Sequence, residues 1–216
     1  MSAAILREPN ASKQPALRSA RPAVWQGGWL ERARRCSSPN FNQRPEGTVV
    51  DLALIHSISL PPGVYGGDAI ERLFTNRLDW DAHPYFATIR GVAVSAHFLI
   101  RRDGELVQFV SCDDRAWHAG TSVWKGRSQC NDFSVGIELE GLEDLLFERA
   151  QYDALARLLD DLAGRYPIGD IVGHQHVAPG RKLDPGSGFD WGRLRAQLGW
   201  PAERFAGASA APPTVL

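Results

Sequence analysis

Apolar and polar positions along the chain predict a sheet with helices packed on it. Val49 to His56 is an almost unbroken apolar run, the pattern of a strand buried on both faces, expected to end at His56 before Ser-Ile-Ser-Leu-Pro-Pro-Gly. His97–Ile100 and Glu105–Val110 flank Asp103-Gly104, and Asp-Gly between two strand-like runs predicts a hairpin. From Val135 to Gly141 apolar residues alternate with polar or small ones, which predicts a strand within 133–141. That alternation puts Glu138 and Glu140 on one face and Ile137 and Leu139 on the other. Ile168 to Val172 reads as a further short strand. Within 148–164, Tyr152, Leu155, Leu158, Leu159 and Leu162 recur at helical spacing, and Pro167 supplies the stop. Shorter helices are expected over 68–75, with Asp68 as a possible cap, and from Asp190 to Leu198, capped by Asp190. Strands in runs with helices between and after them predict an α/β (α+β) fold, a single domain with a central mixed β-sheet flanked by helices.

Composition changes this picture little. The chain has 216 residues, 44% hydrophobic and 23% charged, so one sizeable core is expected and global disorder is not. Residues 1–23 carry little periodicity and read as a flexible N-terminal extension. The folded domain is expected over 24–202, and 203–216 as a C-terminal tail. With 24 basic against 25 acidic residues, no nucleic-acid partner is expected. Residues 1–50 hold eight Lys or Arg against three Asp or Glu, which reads as a solvated extension rather than a binding arm. Cys36, Cys112 and Cys130 are odd in number and form no Cys-x-x-Cys, so reduced packing thiols are expected. No apolar run suits a secretory signal or a transmembrane helix. Together these predict a cytoplasmic protein with no membrane association, and no feature calls for an obligate protein partner.

The chemistry concentrates in Gly173-His174-Gln175-His176-Val177-Ala178-Pro179-Gly180-Arg181-Lys182-Leu183-Asp184-Pro185-Gly186. Pro179 and Pro185 exclude a regular helix or a central strand, so the segment is expected to be a loop holding polar groups in fixed positions. Imidazole and carboxylate are good zinc ligands, and a lysine beside them can stabilise an oxyanion. A further ligand could come from His56, His83, His97, His118 or His176. His56 is favoured by its position at the end of an apolar strand, where open sheets tend to put their sites. Two histidines and one carboxylate leave a zinc position open to water, whose pKa falls to ~7. Glu138 lies in an apolar strand and must line a cavity or find a partner. In an extended segment Lys182 and Asp184 project to one side.

These residues resemble the bacterial AmpD N-acetylmuramoyl-L-alanine amidases, within the wider group that includes phage T7-type lysozyme and the peptidoglycan recognition proteins. The matching stretches are Ile55-His56-Ser57-Ile58-Ser59-Leu60-Pro61-Pro62, Ala82-His83-Pro84-Tyr85-Phe86, Val94-Ser95-Ala96-His97, Ile100-Arg101-Arg102-Asp103-Gly104, Ala116-Trp117-His118-Ala119-Gly120, Cys130-Asn131-Asp132-Phe133-Ser134, Gly136-Ile137-Glu138-Leu139-Glu140-Gly141, Gly173-His174 and Lys182-Leu183-Asp184-Pro185-Gly186. They lie within about residues 28 to 195, and their number and order make the match specific. The resemblance implies an amidase/peptidoglycan-recognition-protein-like fold and a zinc amidase domain over 24–202. It implies Zn2+ held by His56, His174 and Asp184, Glu138 as general base and acid, and Lys182 as electrostatic partner of the oxyanion. The reaction it implies is hydrolysis of the amide between N-acetylmuramic acid and L-alanine in cytosolic 1,6-anhydro-muropeptide, during cell-wall recycling. Where the circuit exists, loss of this activity could induce a chromosomal β-lactamase. Ser57 stands where many of these sequences have Asn. Ala93 and Gln129 stand where some have Arg, which bears on recognition of the acidic stem peptide.

Blander roles compete elsewhere. Tyr85 and Trp117 could stack on sugar or line the groove, and His118 and Asn131 could contact the muropeptide. As alternatives, the aromatics serve the core, His118 is structural and Asn131 stabilises a turn. His97 and His83 are expected to be structural, His176 a bystander, and Glu140 without chemistry. A muropeptide sensor without catalysis is the competing class of function. Non-catalytic relatives typically lack a zinc ligand, and this chain lacks none. An amidase acting on intact cell wall would need export.

Overall fold

The computed structural model describes residues 22–206. The extension expected over 1–23 falls almost wholly outside the described residues, as does the tail from 207 onward. Residues 203–206, expected in that tail, belong to the fold: Phe205 is buried and bridges Ile171, and Ala206 donates its N–H to Ile171 O.

A six-stranded sheet forms the centre, in the order Asp170–Gly173, Leu52–Ile58, Ser134–Glu140, Phe98–Ile100, Leu106–Gln108 and Arg34–Arg35. The first four strands are parallel to their neighbours, Phe98–Ile100 and Leu106–Gln108 pair antiparallel, and Arg34–Arg35 closes the edge in parallel. This is the mixed sheet with flanking helices that the periodicity predicts. The Asp103-Gly104 hairpin forms, with Gly104 at φ 90°, where only glycine is unstrained. Its strands are shorter than the apolar runs, because Glu105 turns back to Asp103 Oδ1 and Arg101 rather than joining the ladder.

The two faces of the sheet part along the predicted alternation. Ala53, Ile55, Val135, Ile137 and Leu139 pack under the Arg149–Ala163 helix, whose Tyr152, Leu155, Leu158, Leu159 and Leu162 are all buried. The Trp191–Leu198 helix joins them, and Asp190 caps it by accepting the Arg193 N–H at 2.8 Å. The Ala69–Phe74 helix packs on the other side. Asp68 sits at its N-cap position but makes no capping bond, since its carboxylate pairs with Arg72 one turn along. The Pro84–Thr88 helix was not expected; its signal is Pro84 at the first position with His83 accepting the Tyr85 N–H.

Arg44, which no sequence pattern marks, ties several loops together. Its guanidinium donates to the carbonyls of Cys112, Asn131, Asp132 and Ser134 at 2.6–3.3 Å. Arg44→Met is therefore expected to cost about 2–4 kcal/mol, because the stranded carbonyls lose a charged donor. Urea denaturation checks this, and a loss below about 1 kcal/mol would mean that water replaces the guanidinium.

Candidate metal centre

The parallel ladder sets the geometry. His56 and Glu138 are direct partners on adjacent strands, and by alternation both face away from the Arg149–Ala163 helix. The Leu52–Ile58 strand continues two residues past His56, because Ser57 and Ile58 still pair with Leu139 and Glu140. His56 thus lies just inside the strand end rather than at it.

The segment after the neighbouring strand also differs from expectation. It opens with one helical turn, His174–Val177, and becomes irregular only from Ala178 onward. Gly and Pro are absent from those four residues, so nothing prevents the turn until Pro179. His176 closes it by accepting the Gly173 N–H at 2.8 Å and lies against Trp191, the bystander role expected of it. Gln175 then draws the far end of the segment back: its N–H donates to Asp184 O at 2.9 Å, and its Oε1 accepts the Gly186 N–H.

Three candidate ligand atoms converge as a result. His56 Nδ1 lies 3.0 Å from His174 Nδ1 and 3.0 Å from Asp184 Oδ2, and His174 Nδ1 lies 3.1 Å from the same oxygen. All three residues are buried, and among the described residues they are the group that could hold a metal ion. His174 Nε2 is 3.0 Å from Ala119 O, which can only accept, so Nε2 carries a proton and Nδ1 is the nitrogen turned to Asp184. Burial pushes the His56 imidazolium down to about 4, although Asp184 opposes this, so His56 is neutral near pH 7. Two imidazoles and a carboxylate match a zinc site with a position left open.

Glu138 stands beside this group. It is buried, and its Oε2 has no hydrogen-bond partner among the described residues. Burial pushes its carboxyl well above the usual carboxylate range; the Asp184 charge adds to this, Lys182 opposes it, and Glu143 adds again. Lys182 is exposed, and it lines the cavity together with His56, Glu138, His174 and Asp184. That cavity has a volume of about 440 Å³. Glu140, on the same strand face, accepts from Gly66 N, Arg101 and Arg102 N and is structural.

Of the four expected substrate contacts, two line this cavity. Tyr85 does, half-buried, together with Ile89, Val92 and Val94 from the stretch that follows it. His118 does too, but its ring is directed at His56, with Nδ1 3.0 Å from His56 Nε2. Trp117 instead donates its indole N–H to Asn42 Oδ1 at 2.8 Å. Asn131 is buried and accepts the N–H groups of His118 and Ala119 at 3.2 and 2.8 Å, which holds the loop that carries His118. Glu143 also lines the cavity, and no sequence signal marks it. His97 is structural as expected: its Nδ1 accepts the Gly136 N–H and its Nε2 meets Asp114 O. Gln129 lines a separate depression with Arg115 and Asn131.

The sequence profile described as N-acetylmuramoyl-L-alanine amidase matches residues 46–187. The chain is 54% identical over 171 residues to the 1,6-anhydro-N-acetylmuramyl-L-alanine amidase AmpD of Citrobacter freundii, covering 78% of this chain and 91% of that one. A crystal structure of a selenomethionine AmpD derivative superposes with a TM-score of 0.79 at 52% identity, over 81% of this chain and 99% of that one. The Escherichia coli amidase AmiD, solved with anhydro-N-acetylmuramic acid-L-Ala-D-γ-Glu-L-Lys, gives a TM-score of 0.50 at 29% identity, over 81% of this chain and 65% of that one.

Proposed function

This chain belongs to the N-acetylmuramoyl-L-alanine amidase family, and from that premise we propose that it hydrolyses the amide between 1,6-anhydro-N-acetylmuramic acid and L-alanine, with zinc as its cofactor. One observation carries the reading: His56 Nδ1, His174 Nδ1 and Asp184 Oδ2 meet within 3.1 Å on the wall of a cavity that also receives Glu138 and Lys182. His56, His174 and Asp184 would hold the zinc. When bound, zinc supplies a Lewis acid that acidifies water and polarises a carbonyl.

The remaining work falls to the side chains of this chain. Glu138, with one oxygen free of partners among the described residues, takes a proton from the attacking water as the new C–O bond forms. Glu138 then delivers it to the nitrogen of L-alanine, so the C–N bond breaks and a neutral amine leaves. The Lys182 ammonium balances the negative charge that develops on the carbonyl oxygen. The apolar rim of Tyr85, Ile89, Val92 and Val94 suits the carbon face of a sugar.

Cleavage would take place in the cytoplasm, as a step of cell-wall recycling. Cys36, Cys112 and Cys130 are all unpaired, which suits a reducing compartment, and no helix among the described residues is long and apolar enough to cross a membrane.

The test is incubation of the zinc-loaded chain with a 1,6-anhydro-muramyl peptide. Mass spectrometry is expected to find free stem peptide and anhydro-sugar, with intact sacculi cleaved far more slowly. Uncleaved anhydro-muropeptide at one zinc per chain would overturn the proposal. Lys182→Ala should lower kcat by roughly 10²–10³ and leave KM within a few fold, because the charge is needed mainly in the transition state. A near-normal kcat would remove Lys182 from the mechanism.

A further inference from the structure

His118 makes contacts that neither a substrate contact nor a packing residue requires. Its ring lies directly over Gly136, where an added Cβ would approach the ring atoms to 2.5 Å. Its own backbone N–H is held by Asn131, as is that of the next residue. Seat and tether together aim Nδ1 at His56 Nε2, 3.0 Å away, and Nε2 at Ser134 Oγ, 3.4 Å away.

The direction of these bonds follows from the far end of the chain. Ser134 Oγ lies 2.5 Å from the carbonyl oxygen of Cys130, which can only accept, so the single hydroxyl proton is engaged there. Oγ can therefore only accept from His118, and His118 Nε2 carries the proton. The neutral ring then has a bare Nδ1, which accepts from His56 Nε2–H. His56 in turn has a bare Nδ1, turned towards His174 Nδ1 and Asp184 Oδ2. His174 reaches the same state by donating directly to Ala119 O. His118 and Ser134 thus serve for His56 the purpose that one carbonyl serves for His174.

We propose that His118 is a positioning residue for the metal: as hydrogen-bond acceptor, backed by Ser134 and the Cys130 carbonyl, it holds His56 in the tautomer and ring orientation that present Nδ1 to zinc. The inference rests on the zinc site proposed above and names what orients one of its ligands.

The experiment measures zinc affinity of the full chain by competition with a chromophoric chelator, for the wild type, His118→Ala and His118→Asn. Loss of the acceptor in His118→Ala should weaken zinc binding roughly 10- to 100-fold. Asn carries its Oδ1 near the place of the histidine Nδ1, so His118→Asn should recover most of that loss. Affinity of His118→Ala within about threefold of wild type would overturn the proposal. Equal weakening in both variants would overturn it too, since the ring would then matter only for packing. If the variants do not fold, ¹⁵N ring resonances of the zinc-loaded wild type decide: protonated Nε2 on both His56 and His118 supports the assignment, and a protonated His118 Nδ1 refutes it. A wild type that binds no zinc would instead defeat the metal site itself, a result distinct from failure of the His118 arm.

Discussion

Glu138→Gln should lower kcat by about 10³–10⁴ while zinc stays bound at one per chain. The amide keeps the size and shape of the carboxylate but can neither take a proton from water nor return one to the amine, and a positioned acid–base group is worth about 10²–10⁴. The upper part of that range applies because Glu138 is asked for both transfers. The same substitution should stabilise the fold, and the sign follows from burial. Burial raises the folded-state pKa of Glu138 well above its ordinary value. A raised carboxyl contributes stability that is fully present below the unfolded pKa, about 4.3, and is lost as pH rises through the folded pKa. In the metal-free chain the wild type should therefore melt at a lower temperature than Glu138→Gln at pH 7, and the two should converge near pH 4. Retention of more than about a tenth of wild-type kcat in Glu138→Gln would assign the proton transfer elsewhere.

Removal of the metal should have a comparable effect on activity and the opposite effect on stability. Dialysis against a strong chelator is expected to lower turnover at least ~10³-fold, with recovery on addition of zinc. Without a cation, His174 Nδ1 faces Asp184 Oδ2 across 3.1 Å, and His56 Nδ1 crowds both at 3.0 Å. That buried cluster of acceptors is unfavourable unless a cation or added protons enter it. A metal present at 100 times its Kd stabilises the fold by about 2.7 kcal/mol, which for a domain of this size corresponds to roughly 5–10 °C in Tm. Calorimetry with and without chelator checks this. If the chelated chain holds below a tenth of a zinc per chain, keeps its activity and melts unchanged, the three residues are not a metal centre.

Much of the fold is legible in local pattern. The alternation in Val135–Gly141 correctly separates Glu138 from Ile137 and Leu139, because successive side chains of a strand must point to opposite faces. The leucine stripe of 152–162 correctly identifies the buried face of a helix for the same kind of reason. The ends of elements are less legible. The continuation of the strand past His56 and the return of Asp184 to Gln175 depend on partners elsewhere, through the neighbouring strand and the end of the loop. Asp68 shows the same limit, since Arg72 competes with the helix end for its carboxylate.

The site divides along that line. Residue types and their local spacing were enough to single out His174, Lys182, Asp184 and Glu138 as chemically unusual, because imidazole, ammonium and carboxylate in Gly- and Pro-rich or apolar surroundings need a reason to be there. Only the tertiary structure decided that His56 pairs with Glu138 in a parallel ladder, that Asn131 and Trp117 bond within the fold, and that His118 faces His56. The reason is range. Side-chain direction along one element follows from bond geometry over a few residues, whereas strand register and the proton on each imidazole nitrogen depend on groups far apart in the chain that meet only when the whole sheet has packed.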